Sequence, residues 1–163
     1  MTDGQHLARA LRAAYWAMHR RTSTALAPHG VTADQFVLLA RLADEDAITQ
    51  QELAQRAASD ANTVGAMLQL LEQRGLVARA PHVSDRRAHC VALTALGRRS
   101  FRQMMKDTQP CRLQMIASVK FGSVRGLSKN LQTIAQALEP ATDRDSCRPA
   151  PKSRRSRAAN HSS

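Results

Sequence analysis

The feature that most constrains this chain is the run from Thr49 to Arg99, where two capped helices and an arginine-bearing hairpin follow one another without a spacer. Thr49, with Glu52 three residues on, has the spacing of a capping box, and Gln50–Arg56 reads as a short helix with Leu53, Ala54 and Ala57 inward. Ala58-Ser59 supplies a turn and Asp60 a second N-cap. The next helix, Ala61–Arg74, has Val64, Met67, Leu68 and Leu71 as its core face and Gly75 as its stop. Leu76–Ala80 and Arg86–Leu93 read as the strands of a hairpin around the polar loop Pro81–Asp85. This order suits a protein that places one helix in a DNA major groove and an arginine in the adjacent minor groove.

The second helix has its core face committed, so Ala61, Asn62, Thr63, Gly65 and Ala66 are left to face outward. Asn62 can pair with an adenine edge, Thr63 can reach a base or phosphate, and Ala61 and Ala66 can touch thymine methyls. An ordinary core helix with a small-residue face would look the same. The hairpin tips the balance, because Arg79, Arg86 and Arg87 stand near its tip and Asp85 can orient one guanidinium. The net charge of +11 points the same way, toward a polyanionic partner.

The flanks are helical. Leu7–Ala27 carries Leu7, Leu11, Ala14, Met18, Ala25 and Leu26 at helical steps and ends at Pro28-His29-Gly30. Thr32 caps Ala33–Ala43, whose stripe is Phe36, Leu39, Ala40 and Ala43. Thr94 caps a long helix that Pro110 should kink or break, and Gly122 marks a further break. Ser128 is expected to cap a last helix with Leu131, Ile134, Ala135 and Leu138 inward, ended by Pro140. Residues 141–163 have the composition of a disordered basic tail. The fold class expected is mainly α with a small β-hairpin wing, in one domain over 1–140.

The stretch from Leu53-Ala54-Gln55-Arg56 through Leu71-Glu72-Gln73-Arg74-Gly75-Leu76-Val77, then Asp85-x-Arg87-x-x-x-Val91-x-Leu93-Thr94-x-x-Gly97, resembles the winged helix-turn-helix of the MarR family of bacterial transcriptional regulators. The helix order resembles that family from about Leu7 to Leu138. The resemblance implies a homodimer on a palindromic operator in double-stranded DNA. Its terminal helices, about 7–28 and 94–139, would form the dimer around a winged helix-turn-helix at about 32–93. It implies that Arg87 is the minor-groove arginine and Asp85 its orienting partner. It also implies a small aromatic or phenolic effector, for which Tyr15, Trp16, His19 and Phe36 are the candidates, with Arg20 or Arg41 to meet a carboxylate. This chain departs from similar regulators in having alanine at 61 and 66, where arginine or a larger polar residue is frequent.

Catalysis is not expected. There is no Gly-rich phosphate loop or Gly-x-Ser-x-Gly motif, and His89 and Cys90, adjacent on a strand, point to opposite faces. Cys90, Cys111 and Cys147 have no metal-ligand spacing, so neither a metal nor a cofactor is expected, and reduced thiols in a cytoplasm fit. No apolar run approaches the ~18–20 residues of a membrane span. The function expected is a sequence-specific regulator, a repressor released by its effector. The alternatives are an effector-independent or architectural DNA binder, or an interaction module that has lost DNA reading.

Overall fold

The computed structural model describes residues 2–45, 47–57, 59–81, 89–120 and 122–138. They fall into two units, one ending at Ser118 and one starting at Val119.

In the first unit, α1 (Asp3–Leu26) begins ahead of its apolar stripe, where the Thr2 N–H donates to Gln5 Oε1 at 2.9 Å. A 3-10 turn (Ala27–His29) follows, and Gly30 at φ +60° turns the chain. α2 (Ala33–Asp44) starts at Thr32, whose Oγ1 accepts from the Gln35 N–H at 3.1 Å while Gln35 Oε1 accepts from the Thr32 N–H. α3 (Gln50–Arg56) and α4 (Ala61–Gln73) stand where the sequence places them. Arg74 ends α4, and Gly75 takes φ +67°.

The sheet has three strands rather than two. β1 (Ile48–Thr49), β2 (Val77–Pro81) and β3 (His89–Leu93) form an antiparallel sheet in the order β1-β3-β2. Ile48 pairs with Val91, and β2 pairs with β3 from Val77 and Leu93 to Pro81 and His89. β1 is too short to show a periodicity, and it becomes a strand because the hairpin offers it an edge and the core a place for Ile48. Pro81 belongs to β2, not to the loop, and residues 82–88 lie outside the described residues.

Leu26, Leu38, Leu39, Leu42, Leu53, Val64, Leu68, Leu71, Val91 and Met104 meet in one core. Gly97, near the start of α5 (Ala95–Asp107), is required there, because a Cβ would stand 1.9 Å from the Leu76 carbonyl oxygen. Thr94 completes that corner: its Oγ1 accepts from the Gly97 N–H at 2.9 Å and donates to the Gly75 oxygen at 2.6 Å. The Leu93-Thr94-x-x-Gly97 spacing is thus a packing requirement for seating α5 on the start of β2.

The expected break near Pro110 falls at Thr108, which ends α5 and starts α6 (Gln109–Ala117). Pro110 sits in the first turn of α6, where a missing N–H costs nothing. The Arg112 guanidinium fills the break, donating to Met105 O and Thr108 Oγ1, each at 2.7 Å.

In the second unit, α7 (Val124–Leu138) begins earlier than expected. Ser123, not Ser128, caps it, with Ser123 Oγ accepting from the Gly126 N–H at 2.9 Å. Ser128 lies inside and donates back to the Val124 oxygen at 2.9 Å, the alternative open to a mid-helix serine. Pro140 and residues 141–163 lie outside the described residues.

Candidate nucleic-acid interface

The reading face is built from the caps outward. At Thr49 the N–H and Oγ1 both donate to Glu52 Oε2, at 2.9 and 2.8 Å, which fixes the start of α3. Leu53 and Ala54 bury its inner face, and an Arg56–Glu45 ion pair ties its end to the residue after α2. The Ser59 N–H donates to the Ala54 oxygen at 3.1 Å and closes the turn. Asp60 Oδ1 then accepts from the Thr63 N–H at 2.8 Å. Hydrogen bonds from the Thr63 side chain and backbone hold the Asp60 carboxyl below the usual carboxylate range.

Val64, Leu68 and Leu71 are buried, and Ala61, Asn62, Thr63, Ala66 and Gln69 are exposed. The residues expected to face outward are thus exposed, except for Gly65, which is half-buried. Gly65 faces α3: a Cβ there would meet Gln50 Nε2 at 2.9 Å, and the same amide donates to the Ala61 oxygen at 3.1 Å. Gln50 and Gly65 set how closely the two helices approach. Neither has a local signal beyond glycine itself, because the contact joins two helices.

Arg79 lies mid-ladder, opposite Val91, rather than at the hairpin tip. Its guanidinium reaches Glu72 at 3.5 Å and the Gly65 oxygen at 3.4 Å, so it braces β2 against α4. Asp85, Arg86 and Arg87 lie outside the described residues. The last described pair, Pro81 with His89, leaves them on the connection between β2 and β3.

A cavity of about 230 Å³ opens between α1, α2 and the α5–α6 break. Tyr15, His19 and Phe36 line it, as do Met18, Cys111 and Arg112. Trp16 does not, because one residue turns the side chain about 100° around a helix. It packs outside against Tyr15 and His19, with ring centroids 5.5 and 5.6 Å away. Arg20 and Arg41 are also absent from the lining, and the guanidinium present is that of Arg112. His19 Nε2 stands 3.6 Å from Asp34 Oδ2 on the cavity wall. Among the described residues, no group of three His, Cys, Asp or Glu side chains converges as a metal site, and no helix is long and apolar enough to cross a membrane.

A helix–turn–helix backed by a three-stranded antiparallel sheet defines a winged helix-turn-helix fold. The MarR family model matches residues 31–89, from the junction before α2 to the start of β3. An HTH-type transcriptional repressor of Mycobacterium tuberculosis is 38% identical over 76 residues, which is 47% of this chain and 55% of that protein. The match thus spans about half the length of that relative. Among solved structures, a MarR transcriptional regulator from Methanosarcina mazei Go1 is similar at TM-score 0.72 and 25% identity, over 82% of this chain and 96% of that one. A mutant MarR from E. coli complexed with operator DNA is similar at TM-score 0.71 and 26% identity, over 78% of this chain and 92% of that one. Over residues 31–89, then, the chain is similar to the MarR family.

Proposed function

We propose that this protein is a sequence-specific DNA-binding transcriptional regulator, a homodimeric cytoplasmic repressor that a small aromatic acid or phenol releases from a palindromic operator. The observation that carries the reading is α4: Ala61, Asn62, Thr63 and Ala66 stand exposed together on a helix braced by Gln50 on one side and Arg79 on the other. Small and polar side chains at the start of a braced helix can approach base edges closely. Arg86 and Arg87, on the connection between the wing strands, are the groove-reaching cations, with Asp85 to orient one of them. The similar proteins, a transcriptional repressor and a MarR protein complexed with operator DNA, support the same reading.

The effector reading rests on the cavity. Tyr15 and Phe36 offer ring faces, Arg112 a cation and His19 a hydrogen-bonding edge, a set suited to an aromatic carboxylate or phenol. A ligand there touches α1, α2 and α6 at once, so it can favour one arrangement of these helices. By linkage it then weakens DNA binding by the factor by which DNA weakens its own binding.

The test selects duplexes from a random pool with the purified protein, footprints the winner, and titrates benzoates and phenols while following operator binding by anisotropy. A protected two-fold site and a saturable loss of affinity support the reading. The poor donor set on α4, together with the charge of +11, favours one competing reading, an architectural binder. Affinity that follows salt but not sequence would establish it.

A further inference from the structure

We infer that Arg74 is a positioning residue, whose guanidinium staples the C-terminal end of α4 to the junction between α1 and α2 and so sets how α4 is presented to DNA. The inference rests on the DNA-reading function proposed above. Arg74 is the C-cap of α4, the residue directly after Gln73, and its two terminal nitrogens donate to consecutive main-chain oxygens, those of His29 and Gly30. Gly30 is left-handed at φ +60°, and a Cβ there would stand 3.3 Å from the guanidinium. Glycine at this position thus satisfies the turn and leaves room for the arginine.

The junction is held from its other side as well. His29 Nε2 meets Asp107 Oδ2 at 2.7 Å, and Asp107 Oδ1 accepts from Gln103 Nε2 at 3.0 Å. Asp107 is the last residue of α5, and the next residue, Thr108, lines the cavity. Ala33, three residues past Gly30, lines it too. One chain of contacts therefore joins the reading helix, the α1–α2 junction and the wall of the cavity.

The physics favours a positional role. Arg74 is exposed, so its contacts add little to stability. A guanidinium fork can engage two carbonyls in a fixed plane, which a lysine ammonium cannot. The N-terminal half of α4 is braced by Gln50 and Arg79, and Arg74 supplies the matching constraint at the far end. Two fixed ends define the direction of a helix, and base readout tolerates errors of only about half an ångström.

The full-length protein, with Arg74→Met, Arg74→Lys and Asp107→Asn variants, is assayed by anisotropy on two duplexes, one selected by the wild type and one of random sequence, over a range of salt. Arg74→Met is expected to lose about tenfold on the selected duplex and little on the random one, as a residue that serves readout and not charge should. Its salt slope stays at the wild-type value, and its melting temperature moves by no more than about two degrees. Arg74→Lys, which keeps the charge, falls between the two. Asp107→Asn shows a smaller loss of the same kind and carries the test if Arg74→Met does not fold. Equal losses on both duplexes with a shallower slope would make Arg74 a phosphate contact and overturn the inference, as would wild-type discrimination in all three variants. If the wild type itself selects no sequence, the DNA-reading function fails, and the role of Arg74 in it fails too.

Discussion

α4 and α1 are both amphipathic, yet the chain buries the apolar stripe of one and not of the other. In 13 residues α4 buries Val64, Leu68 and Leu71 and leaves Leu70 as its one exposed large apolar residue. In 24 residues α1 buries only Leu26. It leaves Leu7, Tyr15, Trp16 and Met18 each 40% exposed or more. Leu113, Met115 and Ile116 on α6 are as exposed. α4 thus sends most of its apolar side chains into the core, while α1 and α6 display apolar surface of the kind that marks a contact with another molecule.

The comparison breaks most violently at Gly97. Gly97→Ala would drive a methyl into the Leu76 carbonyl, and the backbone cannot yield without unseating α5 from the sheet. A loss of about 3 kcal/mol or more is expected in denaturant titration. A loss under about 1 kcal/mol would show that the corner is softer than its geometry indicates.

The opposite intervention leaves the core intact and targets α1. Leu7→Lys combined with Leu11→Lys should dissociate a dimer while preserving the helical spectrum, since each buried leucine is worth about 1.5–3 kcal/mol to an interface. Sedimentation at low micromolar concentration reads the outcome. A double variant that stays dimeric would place the interface elsewhere.

Arg87→Ala asks what the wing adds to α4. Operator affinity is expected to fall by about 1–3 kcal/mol, with thermal stability unchanged. Unaltered affinity by anisotropy would remove Arg87 from the interface and leave α4 to read alone.

The smallest effect concerns the cap of α4. Hydrogen bonds from Thr63 depress the Asp60 carboxyl, so its stabilisation is complete above the ordinary carboxylate range and is lost as the pH falls through the depressed value. Asp60→Asn keeps a capping oxygen but cannot titrate. Exchange of the Thr63 amide should therefore accelerate in acid in the wild type and less so in the variant. Parallel acid profiles would show that the cap does not govern the start of the helix.

Much of this was legible in the sequence because it is local. Thr32, Thr49, Asp60 and Thr94 each announce a helix start, and each side chain accepts from the N–H three residues on. Ser128 has the same chemistry and misled, because capping and back-bonding are equally open to a serine until the length of the helix decides. The cavity was legible only in part. Tyr15, His19 and Phe36 line it, but Trp16, one residue from Tyr15, is rotated away, and Arg112 takes the place expected for Arg20 or Arg41. Arg112 gave no signal because its position follows from how the break at Thr108 is filled.

By itself, then, the sequence determined the helix starts at Thr32, Thr49, Asp60 and Thr94, the two strands of the hairpin and the buried face of α4. Each of these depends on side-chain volume, hydrogen bonding or backbone freedom within a turn or two of the residue concerned. The third strand, the approach of Gln50 to Gly65, the bracing role of Arg79, the grip of Arg74 on the α1–α2 junction and the lining of the cavity were decided only by the tertiary structure. They join segments far apart along the chain, and whether a guanidinium meets a carbonyl or a base edge depends on distances that no local pattern encodes.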